Sequence, residues 1–243
     1  MRSFAATDVG RKRKVNQDYV FRSEKPVGQL PNLFIVADGM GGHKAGDYAS
    51  SFTTKAVVSE IEHSEYEGPI RIIRRAIEEA NTQLIEEAMR SADRSGMGTT
   101  IVVATIIDDY LYVANVGDSR LYLVNDRITQ ITRDHSLVEE MVLAGKIDRE
   151  EARVHPDKNI ITRAIGAVSS IKVDVFDLSL QDGDKILMCT DGLSNMVADK
   201  DIRDIVDQGK DVEQITADLI QTANENGGRD NIGVVVVDPF AEK

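Results

Sequence analysis

Apolar residues recur along this chain with two different periods, and the two patterns occupy separate stretches. The strand-like stretches are short, rich in Val, Ile and Thr, and bounded by Gly, Asp or Asn, which is typical of β-structure. They predict strands at residues 4–7, 33–37, 99–107, 110–116, 120–124, 128–131, 172–176, 185–190 and 232–237. Short turns at residues 108–109 and 125–126 separate neighbouring strands and predict antiparallel hairpins.

Other stretches carry apolar residues at the three-to-four-residue spacing of an amphipathic helix. They predict helices at residues 49–57, 70–88 and 212–219. Strands in blocks, with helices as a pair and a late single, favour an α+β sandwich over alternating βαβ units. We find no linker, repeat or low-complexity run, so we expect one domain over residues 1–243.

The segment between Asp134 and Arg163 differs from the rest of the chain. Its pattern predicts a short helix, a break and a second short helix, and the segment is longer than the usual connection between strands. Insertions of this length are often lids or binding loops. His135 and His155 lie at the ends of the insertion, and we expect them to be structural.

The charge balance narrows the possible partners. Lys and Arg number 29 against 41 Asp and Glu, which gives a net charge of −12 and a pI near 4.8. Such a field repels phosphate backbones and anionic lipids, so we expect neither general nucleic-acid binding nor membrane insertion. The single cysteine, Cys189, excludes a disulfide framework. With no signal-peptide pattern or apolar span in the sequence, we expect a cytoplasmic protein.

Aspartates adjoin glycine-bearing segments at the ends of probable strands throughout the chain. This position places a carboxylate on a rigid element, and glycine lets backbone or ligand approach closely. Carboxylates that converge on one point repel each other unless cations lie between them, and hard divalent cations prefer oxygen ligands. The sequence therefore predicts a carboxylate-rich metal site built from Asp18, Asp38, Asp118, Asp191 and Asp230.

The same segments, taken in order, carry a family resemblance that covers residues 7–237. The chain resembles the bacterial branch of the type 2C metal-dependent Ser/Thr protein phosphatases, the PPM family. One Asp-Gly pair would be weak evidence, but the ordered set is highly specific. The matching motifs are Thr7-Asp-Val-Gly10 with Arg13 and Asn16-Gln-Asp18, Ala37-Asp-Gly-Met-Gly-Gly42, Gly98-Thr-Thr100, Ala114-Asn-Val-Gly-Asp-Ser-Arg120, Thr132-Arg-Asp-His135, Thr162-Arg-Ala-Ile-Gly166, Thr190-Asp-Gly-Leu193 and Gly228-Arg-Asp-Asn231.

The resemblance implies a fold and a set of metal ligands. The fold would be a four-layer α/β/β/α sandwich, with two central antiparallel sheets flanked by helices. Asp38 corresponds to the carboxylate that bridges two Mn²⁺ or Mg²⁺ ions, and Gly39 to the carbonyl ligand of the first ion. Asp191 and Asp230 correspond to ligands of the second ion.

Further roles follow from the same resemblance. Asp118, with Asp191, corresponds to a third and weaker metal position of bacterial members. Asp18 corresponds to a residue that holds metal-bound water, and Arg13 to the arginine that binds the substrate phosphate. Residues 136–160 correspond to a mobile flap.

The implied activity is metal-dependent hydrolysis of phosphoserine and phosphothreonine in proteins. A hydroxide that bridges the two ions would attack in line, while the ions and a guanidinium offset the developing charge, so no phosphoenzyme forms. Family members in bacteria commonly oppose a Ser/Thr protein kinase. We therefore expect phosphoprotein partners, including such a kinase and its targets, and a monomeric enzyme.

Two positions depart from the family pattern. Gln17 stands where many members have glutamate, which removes a negative charge near the first ion. Met40 stands where animal members have a histidine proposed as the acid for the leaving oxygen. A thioether cannot donate a proton, so the proton must come from metal-bound water or another group.

Other function classes fit the sequence less well. A haloacid-dehalogenase-type phosphatase needs Asp-x-Asp-x-Thr/Val after its first strand, whereas Asp182-Gly-Asp184 precedes a strand and lacks the Thr or Val. A metal nuclease or phosphodiesterase could use the same carboxylates, but the net charge of −12 disfavours it. A catalytically inactive binding module would have lost a bridging or second-ion aspartate, and the sequence keeps them all.

Overall fold

The computed structural model describes residues 1–41 and 45–241, and these residues form two antiparallel sheets packed face to face. The first sheet contains β1 (Arg2–Asp8), β7 (Arg120–Val124), β8 (Ile128–Gln130), β10 (Lys185–Cys189) and β11 (Ile232–Asp238). Its strand order is β1-β11-β10-β7-β8. The first and last strands of the chain are therefore neighbours.

The second sheet contains β2 (Asp18–Ser23), β3 (Leu33–Met40), β4 (Gly98–Thr99), β5 (Ile101–Ile107), β6 (Tyr110–Val116) and β9 (Asp174–Ser179). Its order is β2-β3-β5-β6-β9, and β4 extends the pairing of β3. The β5–β6 hairpin confirms the turn predicted at residues 108–109, and the β7–β8 hairpin confirms the turn predicted at 125–126.

Helices cover the outer face of each sheet. The two long helices α1 (Ala45–Glu62) and α2 (Pro69–Met89) pack on the second sheet. The helices α5 (Asp191–Ser194), α6 (Asp199–Val206) and α7 (Val212–Glu225) pack on the first sheet. A 3₁₀ turn at Ala92–Arg94 follows α2. The predicted four-layer sandwich is confirmed by this arrangement.

Central strands are buried on both faces, since alternate side chains point to opposite sides of a strand. In β3, Leu33 and Ile35 pack beneath α1 and α2, whereas Phe34 and Val36 pack between the two sheets. The strand β11 alternates in the same way between the intersheet core and the cluster beneath α7. Because these strands are buried on both faces, they are rigid, and residues at their ends are held in fixed positions.

The predicted insertion contains α3 (Leu137–Leu143) and α4 (Arg149–Val154), as its sequence pattern indicated. Each helix has an N-cap: Ser136 accepts from the Glu139 backbone, and Asp148 forms a capping box with Glu151. The two ends of the insertion lie together, because the Leu137 N–H donates to the Ile160 carbonyl at 2.9 Å. We call residues 136–160 the flap.

Some elements differ from their predictions. The strand β2 was not predicted, because its apolar run covers only residues 19–21 and is flanked by Asp18 and Arg22, which an edge strand tolerates. The helix α6 is short, and its pattern did not indicate a helix. The strand predicted at 172–176 begins at Asp174 instead, and the strand predicted at 99–107 is broken at Thr100.

Within the described residues, none of the helices has both the length and the apolar character that crossing a membrane requires.

Candidate active site

The predicted aspartates meet at one end of the sandwich, where strands of both sheets end. Asp18 begins β2 and lies directly opposite Asp38 near the end of β3. Asp118 lies in the turn between β6 and β7, Asp191 follows β10 as the first residue of α5, and Asp230 precedes β11. All of them except Asp18 line a cleft of about 260 Å³, whose walls are Arg13, Gln17, Asp38, Gly39, Met40, Gly41, Asp118, Asn159, Ile161, Asp191, Asp230 and Asn231.

The backbone of Asp38 is held by the broken strand beside it. Thr100 Oγ1 accepts a hydrogen bond from the Asp38 N–H at 2.9 Å, and the Thr100 N–H donates to the Asp38 carbonyl at 2.9 Å. Thr99 Oγ1 donates to the same carbonyl at 2.8 Å. These contacts explain the break at Thr100, and they leave the Asp38 carboxylate directed by a fixed backbone.

Asp18 lies beneath the cleft and is only 7% exposed. Thr190 Oγ1 donates to Asp18 Oδ2 at 2.7 Å and accepts from the Gly233 N–H at 2.8 Å. Burial raises the pKa of Asp18 well above its usual value, the Thr190 bond opposes this rise, and the charge of Asp191 adds to it. The side chain therefore connects the two sheets below the site.

The other carboxylates also have raised pKa values. Burial is the largest cause for Asp38, followed by the charges of Asp18 and Asp191. Burial raises the pKa of Asp118 well above its usual value, with the charge of Asp191 next. Burial and the charge of Asp230 raise the pKa of Asp191 to about 6. Raised values at several neighbouring acids are the result expected when like charges share a desolvated site.

Three buried carboxylate oxygens test whether this site suits a cation. Asp18 Oδ1, Asp118 Oδ1 and Asp191 Oδ1 are each buried and accept no hydrogen bond from the described residues. A buried unpaired carboxylate oxygen is costly, and an all-oxygen donor set suits hard divalent cations. The donor chemistry therefore fits Mn²⁺ or Mg²⁺.

The described side chains alone do not complete a metal site. Among residues 1–41 and 45–241, no group of three His, Cys, Asp or Glu side chains is arranged so that it could hold an ion. Backbone carbonyls and water would have to supply further ligands, which is usual for Mg²⁺. A carbonyl ligand at Gly39 is consistent with this need.

Close backbone contacts explain the glycines after two of the aspartates. A Cβ atom on Gly39 would lie 2.0 Å from the Gly46 carbonyl oxygen and 2.7 Å from that of Gln17. A Cβ atom on Gly192 would lie 1.8 Å from the Asn231 carbonyl oxygen. Each Asp-Gly pair therefore packs its backbone against another segment of the site, which only glycine permits.

Arg13 lies at the rim of the cleft, with its side chain 49% exposed. Its Nη2 atom donates to Asp230 Oδ2 at 2.8 Å. The loop that carries Arg13 is tied down by Asn231, whose Nδ2 donates to the carbonyls of Val9 and Val15 at 2.9 Å each. The structure thus places the predicted phosphate-binding residue beside a predicted metal ligand.

Some site residues were not singled out from the sequence. Thr100, Thr190 and Asn231 lie inside the recognised motifs, and their hydrogen bonds hold the carboxylate-bearing segments in place. Asn159, on the flap, also lines the cleft. The motif positions were the available signal for the first three, whereas nothing local indicates a role for Asn159. Gly42 and His43 lie outside the described residues.

His135 ties the Asp118 turn to the flap. The ring Nδ1 atom of His135 accepts from the Gly117 N–H at 2.9 Å, and the backbone N–H of His135 donates to the Gly117 carbonyl at 2.9 Å. The Thr162 N–H donates to the His135 carbonyl at 2.8 Å. The ring Nε2 atom lies 3.1 Å from Asp174 Oδ2, and burial lowers the pKa of this histidine. These contacts are consistent with the expected structural role.

Comparison with known proteins identifies the family. Residues 21–232 match the family model described as "Protein phosphatase 2C". The chain belongs to the protein phosphatase 2C family. This phosphatase is 40% identical over 240 residues to "Serine/threonine phosphatase stp" of Listeria welshimeri, a match that covers 96% of this chain and 93% of that protein. The predicted enzyme class, a protein serine/threonine phosphatase, is confirmed.

Solved structures agree with the fold of this phosphatase. The serine/threonine phosphatase Stp1 from Staphylococcus aureus superposes with a TM-score of 0.92 at 35% identity, covering 98% of this chain and 95% of that one. The catalytic domain of the phosphatase PstP, described in complex with two manganese ions, superposes with a TM-score of 0.84 at 32% identity. That match covers 97% of this chain and 96% of that one.

Proposed function

We propose that this phosphatase hydrolyses phosphoserine and phosphothreonine in proteins with the help of divalent cations, Mn²⁺ or Mg²⁺, held in the cleft. The observation that carries the proposal is the set of buried carboxylate oxygens on Asp18, Asp118 and Asp191 that accept no hydrogen bond within the described chain. The two manganese ions in the related PstP domain support the same choice of cofactor.

The ligands would divide among two tightly bound ions and a weaker third. Asp38 would contact both tight ions, with the Gly39 carbonyl on the first and Asp191 and Asp230 on the second. Asp118 would share the third ion with Asp191. When bound, the ions supply an activated water and offset the charge of the substrate phosphate.

The chain's own groups position the substrate and water. Asp18 would accept a hydrogen bond from water through Oδ1, because Thr190 already occupies its Oδ2 at 2.7 Å. Arg13 is exposed enough to leave Asp230 and grip two phosphoryl oxygens with its planar guanidinium. Attack by water in line with the phosphoester bond would release inorganic phosphate and the free hydroxyl side chain.

A covalent phosphoenzyme is not needed in this scheme. Cys189 is the chain's single cysteine, it is fully buried, and burial raises the pKa of its thiol to about 12. A thiol that is neither exposed nor ionised is a poor nucleophile. Direct transfer of the phosphoryl group to water is therefore the simpler reaction.

The broader setting is proposed on the same basis. The catalytic unit would be a single domain over residues 1–243, with the flap at about 136–160 as a mobile segment. The enzyme would act as a cytoplasmic monomer on phosphoproteins, including a bacterial Ser/Thr kinase and the targets of that kinase. Its net charge of −12 disfavours nucleic acid as the substrate.

Phosphate release from a phosphothreonine peptide tests the proposed function. We expect turnover with Mn²⁺, loss of turnover in excess EDTA, and recovery when Mn²⁺ is restored. Asp38→Asn should lower kcat by on the order of a thousandfold, since the carboxylate that would hold both tight ions is lost. Asp126→Asn, in an exposed turn, is the charge-matched control. Full activity in EDTA would refute the metal-dependent reaction.

A further inference from the structure

A second cavity of about 170 Å³ opens beside the catalytic cleft, between the flap and the first sheet. It shares Asp118 and Asp191 with the cleft, so a group bound there would lie next to the reacting phosphate. Its walls come from β7, the two flap helices and the segment from α5 to α6. A peptide whose phosphorylated residue occupies the cleft could therefore place a neighbouring side chain in this cavity.

Most charges around the cavity pair with each other. Three of its acidic side chains face an arginine: Asp134 with Arg120 at 2.6 Å, Glu139 with Arg149 at 3.2 Å, and Asp199 with Arg153 at 4.0 Å. The last distance is long, and both side chains of that pair are 46% exposed. Exposed pairs at such a distance contribute little, so Arg153 remains available to a ligand.

Lys158, at the end of the flap, is the basic residue left over from this pairing. Within residues 1–41 and 45–241, its ammonium group makes no hydrogen bond or ion pair, although the residue is half-buried. Burial lowers its pKa, whereas the nearby charge of Asp191 raises it. An unpaired, partly desolvated ammonium is unexpected in a chain with a net charge of −12.

Once cations are bound, the charge of Asp191 no longer balances the charge of Lys158. In the proposed function Asp118 and Asp191 are metal ligands, and their negative charges are then neutralised by the ions. The positive charge of Lys158 would then face the cavity without an anionic partner, while Arg153 beside it has only the 4.0 Å contact with Asp199. An anionic ligand would complete the charge balance of this cavity.

We propose that Lys158, with Arg153 beside it, forms a subsite that binds an acidic group of the substrate peptide, either a carboxylate or a second phosphate, near the phosphorylated residue. This inference rests on the proposed function and adds a substrate preference to it. The subsite would make the enzyme favour phosphoproteins whose modified residue lies among acidic or multiply phosphorylated neighbours.

A set of phosphothreonine peptides tests the subsite. The residues flanking phosphothreonine are Ala, Glu, Lys or a non-hydrolysable phosphonate residue, and kcat/KM is measured for each peptide with Mn²⁺. We expect the Glu or phosphonate peptides to exceed the Ala peptide by about tenfold in the parent enzyme. Preference for both would indicate a general anion subsite, whereas preference for the phosphonate alone would indicate a phosphate subsite.

Variants of two flap lysines assign the preference. Lys158→Ala should reduce the preference for the acidic peptides over the Ala peptide to below about twofold. Lys158→Glu should reverse the preference, so that the Lys peptide is favoured. Lys146→Ala, an exposed flap lysine outside the cavity, should keep the parental preference. Ratios between peptides on one preparation do not depend on how much protein is folded. Fluorescence anisotropy of a peptide with phosphonate in place of phosphothreonine should show the same order of Kd values without turnover.

The negative outcomes separate the two proposals. If the parent enzyme hydrolyses the peptides without an acidic preference, or if Lys158→Ala and Lys146→Ala behave alike, the subsite is wrong while the proposed function stands. If the parent enzyme with Mn²⁺ hydrolyses none of the peptides, the proposed function itself is wrong.

Discussion

At the scale of single residues, the candidate site depends on carboxylates that are buried or partly buried at the cleft. Asp18 has a hydroxyl donor on one oxygen and a free second oxygen, so its position is set while its capacity to accept remains. Arg13 lies at the exposed rim instead, paired with Asp230 at 2.8 Å. The buried acids would therefore serve cations and water, and the exposed guanidinium would serve the incoming phosphate.

Arg13→Ala tests that division of roles. The variant should raise KM for a phosphopeptide, with a loss in kcat/KM of about ten- to a few-hundredfold, as expected for a charge-assisted hydrogen-bond pair. Steady-state kinetics and calorimetric titration of Mn²⁺ would be measured together, and metal affinity should change little. Lys14→Ala, an exposed neighbour in the same basic run, is the control. Equal kcat/KM in the two variants would contradict the role of Arg13.

At the scale of elements, the turn between β6 and β7 connects the candidate third-ion residue to the flap. His135 contacts Gly117 through both its ring and its backbone, and its carbonyl also accepts from Thr162, just beyond the far end of the flap. The base of the flap and the Asp118 turn are thus one hydrogen-bonded unit. A change in flap position would be transmitted to Asp118 through this unit.

His135→Ala should therefore have two effects. It leaves the Gly117 N–H without its acceptor, which should destabilise the fold by roughly 1–3 kcal/mol in urea unfolding. It should also raise the Mn²⁺ concentration needed for half-maximal turnover, because Asp118 is no longer held in place. His135→Asn offers a carbonyl acceptor and should restore part of both losses, whereas His63→Ala on the surface should change neither. An unchanged Mn²⁺ requirement in His135→Ala would show that the residue is only structural.

At the scale of the whole molecule, the clustered acids oppose folding when no cation neutralises them. Burial and the charge of Asp230 raise the pKa of Asp191 from 3.8 to about 6. The folded protein therefore disfavours the ionised form of Asp191, relative to the protonated form, by roughly 3 kcal/mol. Between these two pKa values, the folded state holds a proton on Asp191 that the unfolded state has lost. The pKa values of Asp18, Asp38 and Asp118 are raised in the same direction.

Metal-free protein should accordingly lose stability as the pH rises from about 4 to 6 and above, because the stabilising protons are lost as the pH passes the folded-state values. Mn²⁺ should raise the Tm more at pH 7 than at pH 5, since the ion replaces those protons. Thermal unfolding in EDTA and in Mn²⁺ measures both effects. Asp191→Asn should flatten the pH dependence in EDTA, and Asp126→Asn, with the same change in net charge, should not. Identical slopes in the two variants would contradict this account.

Local patterns predicted much of this molecule because they record local physics. The strands β6 and β7 and the helix α2 were predicted nearly to their ends, since their residues face a constant environment along one face or both. Elements without a clear local period were missed. The strand β2 lies at a sheet edge where polar residues are tolerated, and α6 is too short for its period to be read.

The sequence by itself determined the family, the sheet-and-helix composition and the identity of the acidic residues, because each is carried by residue type and local spacing. Only the tertiary structure decided which groups touch. The Thr190–Asp18 bond joins residues 172 positions apart, and the Arg13–Asp230 pair joins residues 217 positions apart. Lys158 likewise lies beside Asp191 only because the flap packs against the first sheet. Such contacts depend on how the sheets and the flap pack, and this packing produces no repeating pattern of apolar residues in the sequence.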